Sequence, residues 1–150
     1  MTEVHFYHLE RVSLETALPQ LLEKCLQRGW RALVRAGSPE RVEALTGHLW
    51  EYQRDSFLPH GSAQDGAAAE QPIWLTHLAE NPNGAQALFL VDGADLEAVE
   101  GYERVCDLFD GGNPEAVAAA RARWRRAKAA GASLKYWQYG EKGWENRASG

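Results

Sequence analysis

Residues 3–35, EVHFYHLERVSLETALPQLLEKCLQRGWRALVR, predict a strand, a helix and a second strand in succession. Residues 3–8 alternate, with Val4 and Phe6 on one face and His8 following them, as in a half-buried strand. Apolar residues then recur at helical spacing after the N-cap Ser13. Because an amphipathic helix fills the connection, we expect the two strands to be parallel, as in a β-α-β unit.

The chain continues to alternate between strands and helices. Ser38 and Pro39 are suited to begin a second helix, whose apolar spacing continues to about Tyr52. Residues 95–102 have helical spacing as well. Apolar runs that follow turn residues predict strands at IWLT, QALFLV and RVCDLF.

This alternation predicts an α/β fold. We expect a single domain over residues 1–150, a three-layer Rossmann-like sandwich with a mostly parallel sheet that lacks a nucleotide-binding glycine motif. Residues 61–71, GSAQDGAAAEQ, are expected to be a flexible loop. SLKYWQY, residues 133–139, predicts a short edge strand, and we expect residues 141–150 to be a disordered tail.

The composition is that of an ordinary globular protein, with 45% hydrophobic and 25% charged residues. No apolar run is long enough to span a membrane, and MTEVHFYHLE lacks the cationic start of a signal peptide, so we expect a cytoplasmic protein. Cys25 and Cys106 suit core positions in a reducing compartment better than a disulfide or a metal site. The net charge of -5 argues against tight binding of DNA over a broad surface.

One predicted helix is basic although the chain is acidic: PEAVAAARARWRRAKAA, residues 114–130. Asn113 is a good N-cap, and Gly131 suits the C-terminal end. At 100° per residue, one face carries four side chains: Arg121, Trp124, Arg125 and Lys128. The opposite side is expected to pack on the sheet: Ala116, Ala119, Ala120, Ala127 and Ala130. Arg123 and Arg126 should lie at the edges between these two sides.

A tryptophan among cations fits a receptor for an acidic ligand with an apolar end. The alternative is a solvated basic face on which Trp124 lies partly in the core. A receptor would make specific use of Arg121, whereas Arg123 would contribute little to binding.

Motifs for catalysis are missing. There is no phosphate-binding loop and no nucleophile elbow. The histidines lack metal-ligand spacing: His5, His8, His48, His60 and His77. Asp92, Asp107 and Asp110 lie near predicted strand ends, where α/β enzymes bind ligands, but aspartate beside turns and glycines commonly makes local hydrogen bonds. We therefore expect no catalytic residue, no metal and no cofactor.

A second distinctive stretch is HLWEYQRDSFLPHG, residues 48–61. It has a Leu-Trp pair at the end of a helix and then Ser-Phe-Leu-Pro-His on a connection that Pro59 stiffens. An apolar connection of this kind is covered either by a partner or by the protein's own core. With the strands QPIWL and FLVD, the segment DLFD and the basic helix, it resembles the chi subunit of bacterial DNA polymerase III holoenzyme.

The resemblance implies a non-catalytic accessory protein of DNA replication. The chi family links the clamp-loader complex, through the psi subunit, to the acidic C-terminal tail of single-stranded-DNA-binding protein. It implies that the tail binds at Arg121, Trp124, Arg125 and Lys128. Val117 stands where the family has one further basic residue. It also implies that the psi subunit contacts Phe57, Leu58 and Pro59. DNA would be contacted only indirectly, and the protein would associate with the nucleoid through the replisome.

Two other classes of function remain open. A small α/β enzyme would use Asp92, Asp107 or Asp110, and calorimetry would then detect tight binding of a nucleotide or a metal. A direct binder of single-stranded nucleic acid would use the arginine-rich helix, and a gel shift with free single-stranded DNA would detect it. The replication adaptor explains the basic helix, the missing catalytic motifs and the Ser-Phe-Leu-Pro-His segment together.

Overall fold

The computed structural model describes residues 2–51, 60–62, 66–94, 101–140 and 143–149. In chain order its elements are β1 (Glu3–Leu9), α1 (Leu14–Gln27), β2 (Ala32–Arg35), α2 (Pro39–Glu51), β3 (Gly61–Ser62), a 3-10 turn (Ala68–Glu70), β4 (Ile73–Thr76), β5 (Ala87–Leu90), β6 (Arg104–Asp110), α3 (Pro114–Ala129), β7 (Ser133–Gly140) and β8 (Gly143–Ser149). The expected helix over residues 95–102 lies largely outside the described residues.

The strands form one sheet in the order β3-β4-β2-β5-β6-β1-β7-β8. Neighbouring strands are parallel except β7 and β8, which are antiparallel. β1 and β2 are parallel as predicted, but β5 and β6 lie between them. Helices α1 and α2 pack on one face of the sheet and α3 packs on the other. The predicted α/β fold, a Rossmann-like sandwich with a mostly parallel sheet, is confirmed.

Alternation along β1 supplies both apolar layers. Val4 and Phe6 pack toward α3, whereas Tyr7 and Leu9 pack toward α1 and α2. The ALFL strand, β5, is buried at every position, as is typical of a parallel strand covered on both faces. Ser13 begins α1 as predicted, because its Oγ accepts a hydrogen bond from the Thr16 amide at 3.3 Å.

The C-terminal region differs from our prediction. β7 is an internal strand that pairs with β1 on one side and β8 on the other, so it is not an edge strand. Gly143–Ser149 forms β8 within the span that we expected to be disordered. The physical reason is aromatic packing: the Trp144 ring lies edge-on against Tyr139 and Tyr7, at centroid distances of 5.2 and 5.0 Å.

Part of the predicted loop at residues 61–71 is also structured. Gly61–Ser62 adds an edge strand by pairing with Trp74 and Leu75, and Ala68–Glu70 forms a 3-10 turn. The glycine has a steric reason, because a Cβ at Gly61 would overlap the side chain of Gln71. Residues 63–65 lie outside the described residues.

Candidate functional site

The basic helix forms with the ends that the sequence predicts. The Asn113 side chain accepts hydrogen bonds from the amides of Glu115 and Ala116 at 3.0 and 3.4 Å. Pro114 occupies the first turn, and Gly131 adopts a positive φ of 83° after the last turn. Both ends of α3 are therefore fixed by local hydrogen bonding and backbone geometry, which holds the helix in register over the sheet.

The buried side of α3 is narrower than predicted. Ala120 and Ala127 are buried and Ala116 is half-buried. Ala119 and Ala130 are exposed, so their assignment to the packed side was wrong. Helix α3 packs on the sheet along a stripe that covers less than half of the helix circumference, and the rest of the circumference faces solvent.

Arg123 is part of this buried stripe, which corrects its predicted place at the edge. It is only 7% exposed, and its guanidinium donates two hydrogen bonds to Asp107, from Nε at 2.5 Å and from Nη2 at 3.0 Å. Burial raises the pKa of Asp107, and the two bonds from Arg123 oppose that rise. Both groups are thus used to join α3 to β6, and neither is available to a ligand on the surface.

The structure brings Arg121, Trp124, Arg125 and Lys128 together on one exposed side of α3, hereafter the basic face. The three cations are exposed and Trp124 is half-buried. The indole packs against Phe6 at a ring-centroid distance of 5.4 Å, so one side of it belongs to the core. Its other side remains accessible between the cations. A half-buried ring of this kind is rigid, which suits it to contact an apolar group without a large loss of side-chain entropy.

An aromatic cluster from the sheet lies beneath the basic face. Tyr136 on β7 contacts the Trp124 ring edge-on at 6.2 Å, and its hydroxyl is 2.5 Å from Nδ1 of His8. Burial raises the pKa of Tyr136, and the charge of Arg121 partly offsets that rise. Gly111 lies against this cluster, since a Cβ there would overlap the His8 ring. The charge of Arg121 thus acts electrostatically on the phenol of this cluster.

Sequence reasoning placed His8 correctly and missed Tyr136. Alternation in β1 puts His8 on the side of Val4 and Phe6, and its ring does contact Phe109 on that side, at 5.3 Å. Tyr136 was missed because β7 had been assigned to an edge, so its neighbours were unknown. Val117 is half-buried against the same apolar layer.

The three aspartates that we considered for catalysis each have a structural partner. Asp92 accepts a hydrogen bond from Nε of Arg41 at 2.8 Å, and Asp110 accepts one from the Gly112 amide at 2.9 Å. Asp107 pairs with Arg123 as described. Among the described residues there is no group of three or more histidine, cysteine or carboxylate side chains placed to hold a metal. Asp110 thus makes the local turn bond that the sequence predicts, whereas the Asp92 carboxylate pairs with a distant arginine and Asp107 supports α3.

The residues expected to face the psi subunit, Phe57, Leu58 and Pro59, lie outside the described residues. The chain is described on both sides of them. Leu49 is buried, and Nε2 of the buried His60 lies 3.1 Å from the carbonyl oxygen of Thr46. Leu49 and His60 both lie near the end of the sheet that β3 and β4 form.

Both cysteines are core residues, as predicted. They are free and buried, and burial raises the pKa of Cys25 to about 11 and that of Cys106 further. Raised thiol pKa values leave little reactive thiolate at neutral pH. In the described part of the chain, no helix combines the length and apolar character needed to cross a membrane.

Comparison with known proteins identifies the family. A family model described as DNA polymerase III chi subunit, HolC, matches residues 1–135. The probable DNA polymerase III subunit chi of Rickettsia prowazekii is 31% identical over 99 residues, which are 66% of this chain and 60% of that protein. The DNA polymerase III subunit chi of Pseudomonas aeruginosa is 29% identical over 114 residues, 72% of this chain and 77% of that protein.

The family match includes all of α3 and therefore the whole basic face, but it ends inside β7. The chain spans less than two thirds of the length of the Rickettsia protein. The match nevertheless extends through six of the eight strands and all three helices. This chain belongs to the DNA polymerase III chi subunit family, whose members are subunits of the replicative polymerase.

Proposed function

We propose that this chain is a non-catalytic adaptor of DNA replication, which links the clamp-loader complex, through a psi subunit, to the acidic C-terminal tail of single-stranded-DNA-binding protein. The observation that carries the proposal is the basic face: three exposed cations around a half-buried tryptophan, on a protein of net charge -5. An acidic peptide with an apolar terminus complements this face, because the cations match its charge and the accessible part of the indole matches its apolar end.

The tail offers a terminal carboxylate, a C-terminal phenylalanine and several aspartates upstream. Arg121 is assigned to the carboxylate, because its planar guanidinium can bind both oxygens. The accessible side of Trp124 forms a wall for the phenylalanine ring. Arg125 and Lys128 attract the aspartates and mainly set the association rate and its salt dependence.

The second interface of the adaptor is assigned to Phe57, Leu58 and Pro59, by resemblance to the family. These residues directly precede β3, which forms one edge of the sheet, whereas α3 packs over β6, β1 and β7 toward the other edge. A bridging protein must hold two partners at once, and interfaces at opposite ends of a sheet permit that without overlap.

Two observations favour an adaptor over a small enzyme. The ligand position of a Rossmann-like sheet is the crevice at the carboxyl ends of its strands. Here a cavity of about 810 Å³ lies at that position, but the Arg41–Asp92 ion pair at 2.8 Å contributes to its lining, and the helices around it are not preceded by a phosphate-binding glycine loop. The carboxylates of Asp92 and Asp110 at this edge accept hydrogen bonds within the protein itself.

The test is a calorimetric titration with a synthetic acidic peptide that ends in Pro-Phe. Affinity in the micromolar range, about -8 kcal/mol, is expected for a small and partly exposed site. The same peptide with a C-terminal amide should bind at least tenfold more weakly, because the amide removes the charge that Arg121 is proposed to bind. Equal affinity for the acid and the amide would rule out recognition of the terminus. No binding of either would rule out the proposed function.

A further inference from the structure

A second candidate site lies on the other face of the sheet, opposite α3. Helices α1 and α2 cover that face over most strands, but beside α1 it opens over β1, β7 and β8 into a groove of about 720 Å³. Aromatic side chains of the three strands line its floor: Tyr7, Trp137, Tyr139 and Trp144. We call this the aromatic groove. Three of these residues lie beyond residue 135, where the family match ends.

The rings of the aromatic groove pack against one another: Tyr7 is buried, and the other three rings are half-buried. Tyr7 and Trp137 are nearly parallel, with an interplanar angle of 11° and a centroid distance of 6.3 Å. Trp144 stands edge-on to Tyr7 and Tyr139, and it is half-buried like Trp137 and Tyr139. The half-buried rings on β7 and β8 offer a stacking surface of the kind on which sheets bind unpaired bases.

A hydrogen bond fixes the orientation of Trp137. Its indole Nε1 donates to Nδ1 of His5 at 3.0 Å, which requires that nitrogen to be unprotonated. Burial lowers the pKa of His5 to about 4, with the charge of Arg104 acting in the same direction and Glu3 opposing. The stacking surface is thus preorganised at neutral pH, which lowers the entropic cost of binding.

The groove is bordered by positive charge. Lys24 and Arg28 lie one turn apart at the end of α1, and both are exposed. Arg104 on β6 lies deeper and pairs with Glu3 at 3.4 Å. Arg28 also covers the ring of Trp30, at 4.0 Å from its guanidinium carbon to the centroid. A ligand that matches both features must carry negative charge along one side and flat rings along the other.

We propose that the aromatic groove binds a short run of single-stranded DNA, with bases stacked on Trp137 and Trp144 and phosphates at Lys24 and Arg28. A strand repeats one ring and one charge per nucleotide, which matches a row of rings beside a row of cations. An acidic peptide with a single terminal ring would use only one ring of the row. Double-stranded DNA is excluded by the same reasoning, because its bases are already stacked.

This inference goes beyond the proposed adaptor function, because it uses the opposite face of the sheet and none of the residues of the basic face. It also differs from DNA binding by the arginine-rich helix. Only about two phosphates would contact the protein, and so few contacts are compatible with a net charge of -5. The affinity should therefore be weak, and it should depend only slightly on salt concentration.

The test is fluorescence anisotropy of a labelled ten-nucleotide oligo-dT, titrated with the full chain. Trp144→Ala should weaken binding about tenfold, and Trp144→Phe should restore most of it, because a ring remains for stacking. Lys24→Glu should weaken binding by a similar factor. Arg126→Glu, an equal charge change on an exposed residue of α3, should change it less than twofold. The slope of log affinity against log salt should be about -1.4 for two phosphate contacts on a single strand.

Two further binding experiments distinguish the aromatic groove from the basic face. Lys24→Glu should bind the acidic Pro-Phe peptide as the unmodified chain does, whereas Arg121→Ala should lose the peptide and keep the oligonucleotide. If Arg121→Ala loses the oligonucleotide instead, the DNA site is the basic helix and the proposal is wrong. It is equally wrong if duplex DNA binds as well as the single strand, if the peptide displaces the oligonucleotide from the groove, or if no oligonucleotide binds at millimolar protein. Because Lys24 is exposed, Lys24→Glu should fold normally, and it therefore tests the proposed DNA site even if Trp144→Ala unfolds.

Discussion

Replacing Arg121 with alanine should weaken binding of the tail peptide about tenfold or more, whereas Arg126→Ala should change the affinity less than twofold. Each substitution removes one positive charge from an exposed position of the same helix. Arg126 lies about 140° around α3 from Arg121, so it faces away from Trp124. The two variants therefore share their effect on net charge, and only Arg121→Ala removes a side chain from the proposed carboxylate position.

The expected loss of affinity follows from the hydrogen bond that Arg121 is proposed to donate to the carboxylate. A charge-assisted hydrogen bond contributes about 1.5–3 kcal/mol, which corresponds to a factor of ten or more in the dissociation constant. Loss of Arg126 removes only long-range attraction, which is largely screened beyond about 8 Å at physiological salt.

Isothermal titration calorimetry of both variants with the acidic Pro-Phe peptide measures the difference, and the amidated peptide is the control. For Arg121→Ala the acid and the amide should bind with similar affinity, because the residue that distinguishes them is gone. Equal losses from Arg121→Ala and Arg126→Ala would show that the peptide is attracted diffusely to a basic helix. The assignment of a carboxylate pocket would then be refuted.

Three other predictions follow from the same structure. Arg123→Ala should lower the free energy of unfolding by about 3–5 kcal/mol, because it leaves Asp107 buried without its partner; urea denaturation measures this, and a loss below 1 kcal/mol would contradict the buried pair. Phe57→Ala should weaken a complex with the psi subunit by about 2 kcal/mol and leave peptide binding intact, whereas a variant that simply unfolds would make Phe57 a core residue. Because the folded-state pKa of His5 is lowered from 6.5 to about 4, the unfolded state binds more protons between these values. The contribution of His5 to stability should therefore be constant above about pH 6.5 and fall by about 3 kcal/mol as the pH drops to about 4, and His5→Gln should flatten this part of a urea-midpoint profile.

The sequence predicted the elements with local causes and missed those that depend on distant neighbours. Helix α3 was predicted from its cap, its alanines and its terminal glycine, all of which act within the helix. β7 and β8 were misassigned because their order comes from pairing with β1 and from aromatic contacts across the sheet. Burial of a strand between two others cannot be read from its own residues.

In the candidate site, too, the residues placed by local spacing were predicted, and those that depend on distant neighbours were missed. A helical wheel found the basic face, because angular position on a helix is set by sequence spacing alone. It misplaced Arg123, since an arginine beside the alanine stripe is ordinarily solvated. Only the structure shows that Asp107 of β6 lies beneath it and makes burial possible. Tyr136 and the aromatic groove were beyond sequence reasoning for the same reason: both require the neighbours of β7.

The positions of the sites also bear on how an adaptor of this fold would work. The segment assigned to the psi subunit adjoins β3, the basic face lies on α3, and the aromatic groove opens on the opposite face over β7 and β8. The strands form one continuous hydrogen-bonded sheet, and the three sites share no residue with one another. Binding at one end should then leave affinity at the other end unchanged within about twofold. The sheet would serve as a spacer that sets the distance between its partners, a role that requires no phosphate-binding loop.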